Sequence, residues 1–271
     1  MTLGQARGDR QEPVPTESKL PLMPSLAKES PLLETRALTL AAAGREMVRG
    51  LDWQIQPGQR WCVIGRNAAG KSTLLRALAG VSEVGVVQRG AVHMQGRPQR
   101  DWPAADAASL RAFMPQQVVD RFPISVARLV ELSVVQARLE PLAVLAGLDI
   151  EALAERPVLE LSGGERQRVA LAQCALQGAP LLLLDEPVAF QDPAHQALVA
   201  RWLSSSLPSD QALVISAHDV NWIARTATHV LALLPDGRCE QGAAGAMLKA
   251  GLLERVYGCG WQAVGGIWVA D

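Results

Sequence analysis

The feature that most constrains the fold is a glycine-bounded loop between a short apolar strand and a helix. The strand is predicted over 61–64 and the helix over 71–79, and the loop fits the pattern GxxxxGK[ST]. Small residues let backbone N–H groups surround a phosphate, and the start of the helix adds partial positive charge. We therefore expect a nucleotide's phosphates to be bound by the following residues: Gly65, Arg66, Asn67, Ala68, Ala69, Gly70, Lys71, Ser72 and Thr73.

Two side chains of this loop and two later acids predict the chemistry. Lys71 is expected to reach the β and γ oxygens, and Ser72 to ligate Mg²⁺. Asp185 and Glu186 end the apolar run 181–184. Asp185 is expected to hold the Mg²⁺ through water, and Glu186 to polarise the attacking water. Two acids that end a strand are also common in ordinary loops, so this pair alone does not establish a metal-binding or catalytic site.

Charge, apolar run length and cysteine spacing exclude several classes of protein. The 26 Lys and Arg residues balance 27 Asp and Glu residues, which argues against binding nucleic acid or anionic lipid through bulk charge. The longest apolar runs, 181–184 and 230–234, are far below the roughly 20 residues of a membrane-spanning helix. Four cysteines without a CxxC pair predict neither a disulfide framework nor a zinc site, which favours a cytoplasmic protein.

The order of apolar segments predicts an α/β fold. Apolar runs at 181–184, 213–215 and 230–234 alternate with helical segments at 165–177 and after Pro193. Strands that are apolar throughout indicate a mainly parallel sheet covered on both faces.

Two further regions differ from this pattern. Residues 1–31 hold five of the 17 prolines and predict a mobile tail. A segment rich in helix formers lies before residue 162, and a broadly helical apolar face is predicted from these positions: Val126, Leu129, Val130, Leu132 and Val134.

A third motif favours a nucleotide site over an ordinary loop for the two acids. It is Leu161-Ser162-Gly163-Gly164-Glu165-Arg166-Gln167. Ser162 and the two glycines are expected to open a helix whose N–H groups point at an anion. The segment also fits an ordinary helix start, with an N-cap followed by Glu165 in the first turn, but that interpretation explains neither glycine. The heptapeptide resembles the signature sequence of ABC ATPases, and the resemblance extends over roughly residues 31–258.

The resemblance implies a fold and its division along the chain. The expected fold is an α/β, RecA-like P-loop NTPase with a mainly parallel sheet, an antiparallel β subdomain and an inserted α-helical subdomain. The expected ATP-binding core comprises 32–116 and 165–271, and the helical insert comprises 117–164 and ends in the signature.

The resemblance also implies ATP and Mg²⁺ as ligands and a homodimer as the working unit. In that family the signature of one subunit, here Ser162, Gly163 and Gly164, closes over the γ-phosphate bound by another subunit. Gln116 matches the glutamine that contacts Mg²⁺ and water, and His218 matches the histidine that contacts the γ-phosphate.

The loop after the second acidic motif matches the family only in part. Asp192 corresponds to the D-loop aspartate, although Asp192-Pro193 also fits an ordinary helix N-cap. Phe190-Gln191 stands where the family usually has Ala-Leu.

Two kinds of ABC protein have to be separated. Members that act on ribosomes usually carry two cassettes and a basic linker, and members that act on DNA carry long coiled coils. One cassette with balanced charge favours instead the ATPase subunit of a membrane transporter, with no nucleic-acid partner.

Several segments outside the nucleotide motifs resemble importers of metal chelates such as ferric siderophores, cobalamin and haem. These segments are 97–98, 111–117, 122–126, 218–221 and 253–258. The resemblance implies a separate membrane permease, an indirect periplasmic or surface substrate-binding protein, and a peripheral position on the cytoplasmic face of the inner membrane. The cargo is not encoded in this subunit.

One family residue is missing. ABC ATPases commonly stack an aromatic side chain on adenine, and that position falls at Ala41, Ala42 or Ala43 here. None of the three can stack, so we expect weak discrimination between ATP and GTP unless the guanidinium of Arg45 lies on the base.

Overall fold

The computed structural model describes residues 30–118 and 122–271. The tail predicted over 1–31 lies outside the described residues except for its last two positions. The strands are β1 (Leu33–Ala42), β2 (Arg45–Ile55), β3 (Arg60–Ile64), β4 (Val86–Met94), β5 (Arg97–Pro98), β6 (Arg111–Met114), β7 (Leu181–Asp185), β8 (Ala212–Ser216), β9 (His229–Leu233), β10 (Cys239–Ala243), β11 (Trp261–Val264) and β12 (Ile267–Ala270). The helices are α1 (Lys71–Ala79), α2 (Ala104–Leu110), α3 (Val126–Glu131), α4 (Pro141–Gly147), α5 (Gly163–Leu176), α6 (Pro193–Ser205), α7 (Val220–Thr226), α8 (Ala244–Met247) and α9 (Ala250–Tyr257).

A six-stranded sheet forms the centre of the fold, in the order β10-β9-β3-β8-β7-β6. The strands from β9 to β6 are parallel, and the edge strand β10 is antiparallel. This confirms the mainly parallel sheet that the apolar strands predict. Because parallel strands end at the same edge, the segments that follow β3, β6, β7 and β8 meet there.

Both faces of this sheet are buried, which explains why its strands are apolar without alternation. In β7, Leu182 and Leu184 join the core that also contains residues of α5, α6 and α7. Leu181 and Leu183 point to the opposite face and join the core that contains residues of α1 and β1.

A four-stranded antiparallel sheet, in the order β2-β1-β4-β5, completes the second core. It confirms the antiparallel subdomain that the resemblance implies. The apolar pattern of strand β4 is too short to be recognised in the sequence, because only Val92 and Met94 of its nine residues are buried.

Helix α3 is shorter than the apolar positions of its sequence predict. Val126 and Val130 of α3 are buried, whereas Leu132 is 60% exposed and Val134 is 36% exposed. The prediction of one apolar face through Val134 is therefore wrong. The helix ends at Glu131, and position 132 lies roughly 200° around a helix from position 130.

The helix after the signature begins earlier than predicted. Helix α5 starts at Gly163, not at Glu165, because Ser162 provides its N-cap. The proposed boundary at residue 164 therefore falls inside the first turn of α5.

A hairpin of β11 and β12 ends the chain. Its two tryptophans, Trp261 and Trp268, pack against the core, and Trp261 lies 5.4 Å from the Tyr257 ring. No helix in residues 30–118 and 122–271 is long and apolar enough to cross a membrane.

Candidate functional site

A cavity of about 560 Å³ opens at the carboxyl edge of the six-stranded sheet. Its lining consists of Met47, Asn67, Ala68, Ala69, Gly70, Lys71, Ser72, Thr73, Gln116, Glu186 and His218. The structure thus brings together most of the phosphate loop with three residues that lie far apart in sequence. Asp185 is fully buried beneath them, and the signature and Asp192 are not among the lining residues.

The glycines of the phosphate loop are required by close approach. Gly70 adopts a left-handed conformation with a φ of 99°, and a Cβ there would lie 2.7 Å from the Cβ of Met47. A Cβ on Gly65 would lie 3.0 Å from the Cβ of Ala69. Both glycines therefore keep the loop tight, with β2 packed directly against it.

The start of helix α1 is left open toward the cavity. Its N-cap, Gly70, has no side chain, and the first helical residue whose N–H bonds within the turn is Leu74, to the Gly70 carbonyl. No acidic residue lies in the first turn. The N-terminal N–H groups and the helix dipole therefore offer a site for an anion.

Lys71 is held inside the loop. Its Nζ donates to the carbonyl oxygens of Gly65 at 2.9 Å and Arg66 at 3.2 Å, and the residue is only 6% exposed. Burial lowers the pKa of Lys71, and the carboxylates of Glu186 and Asp185 oppose that shift. The ammonium group thus lies beside the phosphate-binding loop and needs little further ordering to meet a phosphate.

Asp185 has the features of a metal-binding carboxylate. Its Oδ1 accepts hydrogen bonds from the hydroxyls of Ser72 at 3.1 Å and Ser216 at 2.6 Å. Its Oδ2 is buried and has no hydrogen-bond partner among the residues that the structure describes. An unpartnered buried carboxylate oxygen is costly, and a hard cation such as Mg²⁺ bound between Asp185 and Ser72 would satisfy it.

Glu186 is placed by an unusual backbone and three neighbours. Its φ is 52°, and its N–H donates to the Ser216 hydroxyl at 2.9 Å. Gln116 Nε2 donates to Oε2 at 2.9 Å, and His218 Nε2 lies 2.6 Å from Oε1. A left-handed non-glycine residue persists only where the surroundings fix it, and such residues concentrate at functional sites.

Sequence reasoning missed Ser216 and Gln167, which support the two acids. Gln167 is 4% exposed and its Nε2 donates to the Glu186 carbonyl at 3.0 Å. No signal within the sequence near either residue marks this role, because it depends on the pairing of β7 with β8 and the packing of α5.

The signature segment is a self-capped helix start. Ser162 Oγ accepts from the N–H of Glu165 at 3.3 Å, and Glu165 Oε2 accepts from the N–H of Ser162 at 2.8 Å. A Cβ on Gly164 would lie 3.0 Å from the Phe190 carbonyl oxygen, which gives this glycine a packing reason. Ser162 and Gly163 are exposed on the surface.

The family model described as ABC transporter matches residues 48–189. The chain belongs to the ABC transporter family. As an ABC ATPase, it hydrolyses ATP in a reaction coupled to transport.

Curated relatives match nearly the whole cassette. Hemin import ATP-binding protein HmuV of Streptomyces coelicolor is 38% identical over 244 residues, which are 86% of this chain and 86% of the relative. The protein of the same name from Deinococcus radiodurans is 37% identical and covers 77% of this chain and 83% of its own.

Solved structures agree in fold. A chain of a transporter described as metal-chelate type, in an inward-facing conformation, has a TM-score of 0.70 at 22% identity and covers 89% of this chain and 96% of its own. An ATP-binding subunit of an ABC transporter has a TM-score of 0.69 at 21% identity and covers 80% of this chain and 91% of its own.

The loop 190–192, which the resemblance matches to a D-loop, lies against the signature segment of the same chain. Asp192 caps α6, with Oδ1 accepting from the N–H of His195 at 2.9 Å, and these hydrogen bonds lower the pKa of Asp192. Phe190 is 74% exposed with a φ of 62°, and its Cβ is 3.6 Å from the position of a Cβ on Gly163. Gln191 is buried, and its Oε1 has no hydrogen-bond partner among the described residues.

Arg45 is not among the residues that line the large cavity. A guanidinium nitrogen of Arg45 is 3.4 Å from the Pro235 carbonyl oxygen, and Arg45 lines a separate cavity of about 170 Å³. Met47, which sequence reasoning missed, lines the large cavity instead. No pattern in the sequence marks this place, because it depends on the packing of β2 against the phosphate loop.

Proposed function

We propose that this ABC ATPase drives the import of a metal chelate, with haem as the first candidate. The observation that carries the proposal is the identity to hemin import ATP-binding proteins over 244 residues, well beyond the nucleotide motifs. The same class of importer is indicated by segments that bind no nucleotide, including 97–98 and 253–258.

ATP is bound in the 560 Å³ cavity by residues 65–73, with Lys71 at the β and γ phosphates. Ser72, Asp185 and Gln116 hold Mg²⁺, which when bound neutralises phosphate charge. Support for this set comes from the unpartnered Oδ2 of Asp185 and from the hydroxyl of Ser72 at Oδ1.

Glu186 is the general base for the attacking water. The water loses its proton to the Glu186 carboxylate as its oxygen attacks the γ-phosphorus, and ADP leaves. Gln116 and His218 hold one carboxylate oxygen each, so both orient the base, and His218 also reaches the γ-phosphate.

Two copies of the chain form the working unit. Ser162 and Gly163 are exposed, Gly164 is half-buried, and none of the three lines the cavity, so within a single chain they lie away from a nucleotide bound there. A head-to-tail homodimer brings the signature and Asp192 of each copy to the cavity of the other.

A permease helix docks in a groove between α5 and the segment after α3. This groove of about 340 Å³ is lined by residues that include Phe113, Val118, Leu132 and Val135. Leu132 and Val135 are 60% and 58% exposed, which is unusual for apolar side chains that lie side by side. The ATPase is then held at the cytoplasmic face of the membrane, and it meets the substrate-binding protein only through the permease.

Crosslinking tests this docking. A photo-crosslinker at Leu132, in native membranes, is expected to capture an integral membrane protein, whereas one at exposed Val87 of β4 serves as control and captures none. Capture of ribosomal protein or DNA at Leu132 would favour the alternative, a soluble ABC ATPase acting on those targets.

Reconstitution with the captured permease and its binding protein tests the cargo. ATP turnover is expected to rise with haem and not with a sugar or an amino acid. Stimulation by the sugar alone would exclude metal-chelate import.

A further inference from the structure

The C-terminal hairpin is tied to helix α7 by a single side-chain amide. Asn221 Nδ2 donates to the Trp268 carbonyl at 3.0 Å, and the Trp268 N–H donates to Asn221 Oδ1 at 2.8 Å. Trp268 pairs with Ala263 across the tight Gly265-Gly266 turn, at a position whose N–H and C=O face away from β11. Asn221 therefore pairs with this free edge as a neighbouring strand would.

The same residue belongs to the first turn of α7. Asp219 Oδ1 accepts from the N–H of Asn221 at 2.7 Å and from the N–H of Trp222 at 3.1 Å. Asn221 is thus held by its backbone to the cap and by its side chain to the hairpin. Trp222 ties the other side of the turn to α6 through the Gln196 carbonyl, at 3.0 Å.

His218 stands just before this turn. It lies on a three-residue connection between Ser216, the end of β8, and Val220, the start of α7. Its side chain is 43% exposed, and its Nε2 is 2.6 Å from Glu186 Oε1. Because few neighbours surround the ring, its place depends on where the first turn of α7 lies.

The hairpin is anchored by its two tryptophans. Trp261 and Trp268 are partly buried and pack against the core, whereas most of the other hairpin residues are exposed. The N–H of Asp271 closes the base of the hairpin by donating to the Gly260 carbonyl at 3.0 Å. Through its tryptophans the hairpin can support the turn it touches.

We propose that Asn221 is a positioning residue for His218, with the C-terminal hairpin as its brace. The inference rests on the role of His218 given under the proposed function. Asn221 ties the first turn of α7 to the hairpin, in addition to the contact of Trp222 with α6, and it thereby keeps the His218 ring at Glu186.

The test compares Asn221→Ala with Arg225→Ala in the full-length chain. Arg225 is on the same helix and has no hydrogen bond or ion pair with any described residue. Asn221→Ala is expected to lower kcat at least threefold and to leave KM and nucleotide affinity within twofold, whereas Arg225→Ala changes none of them. Asn221→Asp keeps the acceptor but not the donor, and it is expected to lower kcat as well. Unchanged kcat in both Asn221 variants would overturn the proposal.

A double mutant separates positioning from general weakening of the fold. If Asn221 acts through His218, Asn221→Ala adds less than 1.5-fold to the loss caused by His218→Ala. A full threefold further loss would show that Asn221 acts elsewhere and would overturn the proposal. Full turnover in His218→Ala itself would remove the role of His218 first, and with it this inference, so the two failures are distinguishable.

Discussion

Helices α1 and α5 both begin at a glycine-rich motif, but they treat their N-terminal N–H groups differently. Helix α1 has no side-chain cap, and its open end faces a cavity that Lys71 and Glu186 also line. Helix α5 closes its own end through the reciprocal bonds of Ser162 and Glu165, and Ser162 and Gly163 at that end are exposed.

The difference indicates which half of the catalytic site a single chain completes. The phosphate loop has its lysine, acid and serine in place, so it can bind a nucleotide alone. At the signature, the groups left to donate to a ligand are the Ser162 hydroxyl and the N–H groups that take no part in the reciprocal bonds of Ser162 and Glu165. In the proposed homodimer it acts on a ligand that another copy holds, and the variants below test each half.

The largest expected effect on ATP turnover comes from replacing Glu186, the proposed general base. Glu186→Gln keeps the hydrogen bond from Gln116 but cannot take the water's proton, so turnover should fall about 10²–10⁴-fold with ATP affinity within about threefold. A steady-state ATPase assay and a nucleotide titration measure both. Glu240→Gln, on the edge strand β10, is the control, and wild-type turnover in Glu186→Gln would remove Glu186 from this role.

The next effect concerns the phosphate loop alone. Lys71→Ala removes the one buried ammonium group described beside the loop, so affinity for ATP should fall at least about a hundredfold, or roughly 2.7 kcal/mol. Titration with a fluorescent nucleotide measures it, with the exposed Lys249→Ala as control. Unchanged affinity would contradict the placement of the phosphates.

The role of the signature is tested by a substitution that preserves the N-cap of α5. Aspartate caps a helix as well as serine does, so Ser162→Asp should change the free energy of unfolding by less than about 0.5 kcal/mol. Its charge would repel a phosphate, so turnover should fall at least about tenfold while the single chain binds ATP as before. Ser125→Asp, at the N-cap of α3, is the matched control. Normal turnover in Ser162→Asp would mean that the signature meets no phosphate.

The smallest effect concerns the nucleobase. No Phe, Tyr or Trp is found among the described residues that line the cavity, and stacking on such a ring is worth about 1–3 kcal/mol. ATP and GTP should therefore compete within about tenfold, or roughly 1.4 kcal/mol. Arg45→Ala should leave the ratio unchanged, because Arg45 lies at Pro235. A hundredfold preference for ATP in both proteins would show that another group reads the base.

The parts of the molecule that could be predicted from sequence are those set by local signals. Helix α1 runs from Lys71 to Ala79 as predicted, because glycines in left-handed conformations stand at both of its ends. The apolar strands β7 and β8 were also predicted, since both of their faces are buried.

What could not be predicted depends on contacts between distant segments. Ser216 meets Asp185 only through the register of β7 and β8, and Met47 reaches the loop only because β2 packs on it. The left-handed backbone of Glu186 has no sequence signal either, because Gln167 and Ser216 impose it from other elements.

The mass of Glu186→Gln in solution shows whether the two halves meet between two copies of the chain. Light scattering after size exclusion should give one chain of 29.0 kDa without nucleotide and twice that mass with Mg-ATP. Adding Ser162→Asp to this variant should return the mass to that of one chain while ATP remains bound. A single-chain mass for Glu186→Gln saturated with Mg-ATP would contradict the account.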